Sequence, residues 1–229
     1  MKKILFFILL SMSVTCFGQG SQNIDSIQTT EVDSIHAGSH AFPDTKLEDA
    51  TKAEGDSAYI KDDYTMIDVG TGAGFPGLPI AISSKAEVTL LDSLNKRVNF
   101  LNSISTELGL NNVNTIHGRA EEMGANQKYR EKYDVAVSRA VAPMNVLVEY
   151  LLPFVKIGGI CICMKGPKAD EELKEAKRAI KLLGGEIIKQ EKLKLDNEKM
   201  ERNLIIIKKV STTAKKYPRK PGMPAKQPL

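Results

Sequence analysis

The sequence predicts an α/β fold with a seven-stranded, mostly parallel sheet that ends in an antiparallel hairpin at one edge. Three observations predict this class. Short apolar runs alternate with helical patterns over residues 63–210. A glycine-rich loop follows the first apolar run, as in sheets that bind nucleotides. The last two apolar runs have no helical pattern between them, so they should pair as antiparallel neighbours.

Seven short apolar runs predict the strands. They lie at residues 66–69, 88–92, 113–117, 133–138, 160–165, 186–195 and 204–209. Because helical patterns separate most of the first six, these strands should run mostly parallel with both faces of the sheet covered.

Four helical patterns lie between the strands, at residues 77–84, 94–108, 143–154 and 170–183. The second is the clearest, because apolar residues recur on one face at Leu94, Val98, Leu101, Ile104 and Leu108. Gly109 is expected to end that helix. The alternating Lys and Glu residues over 168–181 indicate a solvated helix face.

The chain ahead of this domain has a different composition. Residues 1–19 combine two early lysines with an apolar stretch and small residues near Gly18, which is typical of a secretory signal peptide. Residues 20–62 are acidic and lack apolar periodicity, so a disordered linker is predicted there. The domain is therefore assigned to residues 63–210, followed by a basic tail at 211–229.

Charge is unevenly distributed along the chain. Residues 1–65 carry five lysines and ten acidic residues, whereas the remainder carries 27 basic and 18 acidic residues. A basic body favours a polyanionic partner. The tail from Lys208 carries seven basic residues, no acid and Tyr217, so an arm that contacts RNA phosphates is predicted, with a functionless disordered tail as the alternative.

The cysteines and histidines do not suggest a metal site. Cys161 and Cys163 are two apart in an apolar run, so they are predicted to be buried reduced thiols on one strand face. Cys16 falls in the leader, and the three histidines are scattered. No metal is expected.

The main candidate site is the loop at residues 68–77, DVGTGAGFPG. Gly70, Gly72 and Gly74 permit positive φ and close approach of a ligand to the backbone. Asp68 can receive an ammonium group, which favours S-adenosylmethionine. Pro76 offers no N–H where a dinucleotide enzyme binds pyrophosphate. A nicotinamide or flavin dinucleotide and a purely structural turn remain the alternatives.

Three further strand ends supply candidates. Asp92 closes the second strand. A carboxylate there accepts hydrogen bonds from the ribose hydroxyls of S-adenosylmethionine or of a dinucleotide. Ala120 and Glu121 follow the third strand and are predicted to contact adenine, although an ordinary helix N-terminus is the alternative. Lys165 ends the fifth strand, where either a phosphate contact or a plain loop is consistent with the sequence.

The segment after the fourth strand, SRAVAP at residues 138–143, is the expected place for catalysis. It lacks the Asn-Pro-Pro-Tyr type of segment with which many methylases of exocyclic amines polarise the nucleophile. It also lacks the Pro-Cys pair expected of an enzyme that attacks pyrimidine C6. Guanine N7 needs neither device, since its lone pair is unprotonated at neutral pH and alignment can supply most of the rate. Arg139 is the predicted catalytic residue, binding the cofactor carboxylate or the guanine; a surface salt bridge is the alternative.

Five stretches together carry a resemblance to a known family: residues 68–79, 91–97, 119–121, 138–141 and 215–222. In order and spacing, residues 64–229 resemble the 16S ribosomal RNA guanine-N7 methyltransferase family, known as RsmG or GidB (glucose-inhibited division protein B). The first 63 residues do not match. The resemblance implies the Rossmann-like fold of class I S-adenosylmethionine-dependent methyltransferases.

The resemblance also implies an activity, which is transfer of a methyl group from S-adenosylmethionine to N7 of a guanine in 16S rRNA. The matching positions place cofactor contacts at Gly70, Phe75, Ala120, Glu121 and Arg139. Asp68, Gly72, Gly74 and Asp92 are added from the physical interpretation above.

The family further implies action on 16S rRNA or the small ribosomal subunit in the cytoplasm. We also expect a monomer, with no membrane partner for the domain. The secretory character of residues 1–19 conflicts with that location. A catalytically impaired RNA-binding protein, which keeps the fold but lacks the family's N-terminal helices, is the alternative function.

Overall fold

A computed structural model describes residues 59–195 and 200–229. Its seven strands are β1 (Thr65–Val69), β2 (Glu87–Asp92), β3 (Val113–His117), β4 (Tyr133–Arg139), β5 (Val155–Lys165), β6 (Gly185–Leu195) and β7 (Met200–Lys209). The predicted leader and the predicted linker up to residue 58 lie outside the described residues.

The strands form one sheet in the order β3-β2-β1-β4-β5-β7-β6. Strands β1 to β5 pair in parallel, whereas β7 pairs antiparallel with both β5 and β6. The predicted class, a mostly parallel seven-stranded sheet with an antiparallel hairpin at one edge, is confirmed. Because the strand order reverses beside β1, the carboxyl ends of β1 and β4 border a crevice where α/β sheets bind ligands.

Six helices accompany the sheet in the described part of the chain: α1 (Gly77–Ser83), α2 (Asn95–Glu107), α3 (Ala120–Ala125), α4 (Met144–Leu151), α5 (Ala169–Leu182) and α6 (Met223–Lys226). The helix predicted at 143–154 ends at Leu151, and Pro153 lies in the 3₁₀ turn that follows. Proline cannot donate the backbone hydrogen bond that a continuing α-helix needs.

Two buried apolar clusters flank the sheet. One contains residues of α4 and α5 with Ile67, Val69 and Leu91 from the strands. The other contains residues of α1 and α2 with Met66, Val88 and Leu90. Alternate residues of the central strands therefore enter opposite clusters, as the two-residue period of a strand requires. This double covering leaves the carboxyl edge of the strands for a site.

The cysteine prediction is confirmed for the two residues that the structure describes. Cys161 and Cys163 are free, fully buried and members of the same cluster. Burial raises the pKa of both thiols, that of Cys163 to about 12, so both stay protonated at neutral pH.

Over residues 59–195 and 200–229, the structure contains no helix of the length and apolarity required to cross a lipid bilayer.

Candidate functional site

The loop between β1 and α1 has the backbone that its glycines predicted. Gly70, Gly72 and Gly74 have φ of +72°, +63° and +95°. L residues with a side chain rarely adopt these angles. A Cβ atom at Gly70 would lie 2.6 Å from Cγ2 of Val141, so the segment after β4 packs directly on this loop. A Cβ atom at Gly72 would have no neighbour within 4 Å, so this position borders open space.

Asp68 lies beneath the loop and is fully buried. Its Oδ2 accepts hydrogen bonds from Thr71 Oγ1 at 2.6 Å and from the Gly77 amide at 2.9 Å. Its Oδ1 is buried without a hydrogen-bond partner. Burial raises the pKa of Asp68 to about 6, although the two hydrogen bonds and the Arg139 charge oppose that rise. An unpartnered buried oxygen is costly unless a ligand satisfies it.

Asp92 at the end of β2 fixes the same loop from the neighbouring strand. Its Oδ2 accepts a hydrogen bond from the Gly72 amide at 2.9 Å, and its Oδ1 accepts one from the Leu94 amide at 2.9 Å. Arg97 lies 3.4 Å from Oδ2, but its side chain is half exposed and this ion pair contributes little. Oδ1, which accepts only the Leu94 amide, retains a second lone pair for a ligand hydroxyl.

A cavity of about 190 Å³ opens at this edge of the sheet. Four of the predicted site residues line it, namely Gly70, Asp92, Ala120 and Glu121. Asp68, Gly72, Gly74, Phe75 and Arg139 are not among the lining residues. The first two are nevertheless tied to this edge, because Asp68 holds the α1 end of the loop and Gly72 bonds to Asp92.

Gly74 has a packing role in the loop. A Cβ atom there would lie 2.4 Å from Cδ1 of Leu78 and 2.9 Å from Cδ2 of Leu101. The loop therefore packs closely against α1 and α2, and a larger residue would force them apart.

Glu121, on α3, forms part of the cavity wall and is 7% exposed. Its Oε1 accepts a hydrogen bond from the amide of Gly222, in the C-terminal segment, at 2.9 Å. The carboxylate is thus held in place by a residue that lies 101 positions further along the chain.

Arg139, the last residue of β4, lies over the ring of Phe75, with its Cζ atom 5.3 Å from the ring centroid. This distance is within cation–π range. Burial lowers the pKa of the Arg139 guanidinium, and the charge of Asp68 partly restores it. The two residues that the sequence placed on different loops are therefore in contact.

The segment after β4 is supported by Lys165 and Glu172. Lys165 Nζ, on β5, donates to the carbonyl of Ala142 at 2.5 Å and lies 2.6 Å from Glu172 Oε2 on α5. Glu172 Oε2 also accepts from the Met144 amide at 2.8 Å. Ala140 has φ of +52°, which is unfavourable for a residue with a Cβ, so these bonds hold a strained turn next to Arg139.

Several residues that line the cavity, including Arg119, Val141 and Tyr150, are not among the site residues that the sequence predicts. Tyr150 belongs to α4, where most of the other residues are buried, so periodicity alone marks it as core. Burial and the nearby charge of Glu121 raise its pKa. Its place in the cavity follows only from the way α4 packs beside α3.

No group of three or more His, Cys, Asp or Glu side chains within residues 59–195 and 200–229 is arranged to hold a metal ion.

Comparison with known proteins gives the family. A sequence model described as GidB, rRNA small subunit methyltransferase G, matches residues 52–205. The ribosomal RNA small subunit methyltransferase G of Alkaliphilus metalliredigens (strain QYMF) is 55% identical over 174 residues, which cover 76% of this chain and 73% of that protein.

Two solved structures share the fold. An rRNA methylase from Streptococcus thermophilus aligns with a TM-score of 0.50 and 18% identity, over 67% of this chain and 90% of that one. A geranyl diphosphate C-methyltransferase from Streptomyces coelicolor A3(2), solved with S-adenosyl-L-homocysteine, aligns with a TM-score of 0.52 and 14% identity, over 66% of this chain and 74% of that one. The strand order, the match over residues 52–205 and the 55% identity lead to one conclusion: the chain belongs to the rRNA small subunit methyltransferase G family.

Proposed function

We propose that this protein transfers a methyl group from S-adenosylmethionine to N7 of a guanine in 16S rRNA. The observation that carries the proposal is the buried, unpartnered Oδ1 of Asp68 beneath a glycine loop that borders open space at Gly72. S-adenosylmethionine carries an ammonium group that can satisfy such an oxygen. The residues present therefore fit this cofactor.

The same loop disfavours a dinucleotide. A dinucleotide enzyme binds pyrophosphate with the free amides at the start of the helix after the loop. Here the first residue of α1, Gly77, donates its amide to Asp68 at 2.9 Å, and Pro76 before it has no N–H. These two positions offer no donor to a pyrophosphate, which supports a nucleoside with a single charged tail.

Methylation of guanine N7 requires that the nitrogen be aligned with the methyl group, and it requires no general base. When bound, S-adenosylmethionine supplies a methyl group activated by a sulfonium, and its transfer to N7 moves the positive charge from sulfur to the guanine. Because N7 is unprotonated at neutral pH, the chain has no proton to remove. Arg139 is proposed to bind the cofactor carboxylate or the guanine, and contact with Phe75 restricts the range of positions its guanidinium can take.

Substrate RNA is proposed to contact the basic C-terminal segment. Lys215, Lys216, Lys220 and Lys226 are exposed there, and Gly222 of the same segment bonds to the wall of the cavity. Cationic side chains next to the site can neutralise phosphates that flank the target guanine. We place the reaction in the cytoplasm, where cofactor and ribosomal RNA occur together, and expect the protein to act as a monomer.

The test is methyl transfer by the full chain to small ribosomal subunits that lack the modification. Radiolabelled methyl groups should appear in 16S rRNA, and strand cleavage at N7-methylguanine should locate them at one guanine. An Arg139→Met variant should lose most of the activity, and Arg178→Met, on the exposed face of α5, should retain it. Salt-sensitive RNA binding without methyl transfer would instead support the impaired RNA-binding alternative.

A further inference from the structure

The C-terminal segment, residues 211–229, is bonded to the body of the domain at several points, and we call it the strap. Arg130 Nη1 donates to the carbonyl of Tyr217 at 2.8 Å, and its Nη2 donates to the carbonyl of Thr213 at 2.6 Å. The Thr213 amide donates to Glu131 Oε1 at 2.8 Å. Tyr217 is only 7% exposed. Hydrogen bonds to charged groups are among the stronger ones, so the strap has a defined position.

The middle of the strap is joined to α4 by Arg219 and Glu149. Arg219 donates from Nε at 3.0 Å and 3.1 Å to the two carboxylate oxygens of Glu149, and from Nη2 at 2.6 Å. The Arg219 amide donates to the same carboxylate at 2.7 Å. Glu149 is fully buried, so this carboxylate depends on Arg219 for its charge partner.

Three residues beyond Arg219, the strap reaches the cofactor cavity. Gly222 has φ of +80°, and its amide donates to Glu121 Oε1 at 2.9 Å. Without this donor, the Glu121 carboxylate would have no hydrogen bond within the described residues to limit its rotation. Within the described residues, the second oxygen, Oε2, forms no hydrogen bond, so it is available to a ligand in the cavity.

We propose that the strap fixes Glu121 so that Oε2 recognises the exocyclic amino group of the cofactor's adenine, and that Arg219 is the positioning residue that keeps the strap in place. The proposal rests on the proposed function, since it takes the nucleoside to be adenosine. The amino group is a donor and the carboxylate is an acceptor, so their chemistry matches. A carboxylate fixed before binding loses less rotational freedom when the ligand enters.

A fixed carboxylate also selects against a deaminated base. Hypoxanthine presents a carbonyl oxygen where adenine presents its amino group, and this oxygen repels a carboxylate that cannot turn away. Sites built to bond one polar group reject analogues that lack it, because the buried partner is left unpaired. The strap thus determines nucleobase specificity through Gly222 and Glu121.

The experiment measures, by calorimetry with the full chain, the dissociation constants of two ligands. They are S-adenosylhomocysteine and its deaminated analogue, S-inosylhomocysteine. In the unsubstituted protein the adenosine ligand should bind at least about 100-fold more tightly. Arg219→Gln should weaken the binding of S-adenosylhomocysteine about 10-fold and leave the binding of the inosine ligand nearly unchanged. The ratio of the two dissociation constants, inosine ligand to adenosine ligand, should therefore fall. The methyl-transfer KM for the cofactor should rise with little change in kcat.

Two comparison variants separate positioning from general damage. Arg219→Lys keeps the charge beside Glu149 but has no planar fork for the two carboxylate oxygens, and it should restore part of the ratio. Arg178→Gln makes the same exchange on the exposed face of α5 and should leave the ratio unchanged. If Arg219→Gln does not fold, as judged by circular dichroism, Arg219→Lys alone must lower the ratio.

The outcomes distinguish the two proposals. If the unsubstituted protein binds neither ligand, the proposed function fails. If it binds S-adenosylhomocysteine and the Arg219 variants keep the unsubstituted ratio, the positioning role is overturned while the proposed function stands. An equal loss of affinity for both ligands would also overturn the positioning role, because it would indicate that the strap has only a structural function.

Discussion

Lys165 and Glu172 form an ion pair next to the segment that follows β4, with 2.6 Å between Nζ and Oε2. Both partners also bond to the backbone of that segment, Lys165 at Ala142 and Glu172 at Met144. The pair is therefore part of the support for Arg139, which directly precedes the strained residue Ala140.

We expect Lys165→Met to lower kcat for methyl transfer about 100-fold, because a small displacement of Arg139 misaligns the reacting groups. The substitution should also reduce the free energy of unfolding by about 2–3 kcal/mol, as Lys165 is nearly buried and Glu172 only partly so. Single-turnover assays and denaturant titration measure the two effects. Lys177→Met, on the exposed face of α5, is the matched control, and an unchanged kcat in Lys165→Met would refute the support role.

We expect Gly72→Val to abolish cofactor binding, because its side chain would occupy the open space at the glycine loop. Gly109→Val is a closely matched control: both glycines have φ of +63° and no atom within 4 Å of an added Cβ, but Gly109 lies just after the end of α2. Both variants should lose similar stability from backbone strain. Equal cofactor affinity in the two, measured by calorimetry, would show that the loop is not the site.

The Asp68 carboxyl predicts a pH dependence. Its folded-state pKa of about 6 lies above the ordinary value of 3.8, so the folded protein binds more protons than the unfolded chain between these two values. Stability should therefore fall by about 2–3 kcal/mol as pH rises from about 4 to above 6. Cofactor affinity should change the opposite way, rising through about pH 6, because an ammonium group prefers the ionised carboxylate.

Asp68→Asn should remove both pH dependences, that of stability and that of cofactor affinity. It should also weaken cofactor binding about 10-fold or more at about pH 7.5. Denaturation and calorimetry at a series of pH values measure them. Glu175→Gln, an exposed substitution on α5, should leave both slopes in place. Persistence of the slopes in Asp68→Asn would assign them to another group.

The exposed lysines of the strap are expected to contact RNA phosphates. Replacing Lys215 and Lys216 with Gln should weaken binding to a 16S rRNA fragment. In a plot of the logarithm of the binding constant against the logarithm of the salt concentration, the slope should become shallower by about one for each phosphate that is no longer neutralised. Cofactor affinity should stay the same, since neither side chain lines the cavity. The same exchange at Lys174 and Lys177 on α5 is the control, and equal salt slopes in both double variants would argue against an RNA surface on the strap.

Strand and loop positions could be predicted because they depend on local signals. The glycines of the first loop and the apolar runs of β1 and β2 can be identified from neighbouring residues in the sequence alone. Strand β5 begins at Val155, five residues before the prediction, since Gly158 with φ of +88° breaks the apolar run without ending the strand. Helix α3 is too short to produce a periodic signal.

Contacts between distant segments could not be predicted in the same way. The basic, proline-rich composition of the C-terminal residues predicted an arm for RNA, yet Lys209, just before the strap, is fully buried and bonds to the carbonyl of Leu152 at 2.7 Å. Arg219 pairs with Glu149, 70 positions earlier in the chain. A single sequence shows which residues are charged but not which charges meet after folding.

Asp68 Oδ2 bonds both to Thr71 within the glycine loop and to Gly77 at its end, so the loop has its shape before any ligand arrives. The entropy of ordering these residues is therefore lost during folding, and little of it remains to oppose complex formation. Cofactor capture should then proceed in a single kinetic phase whose rate scales with ligand concentration, without a slow rearrangement afterwards.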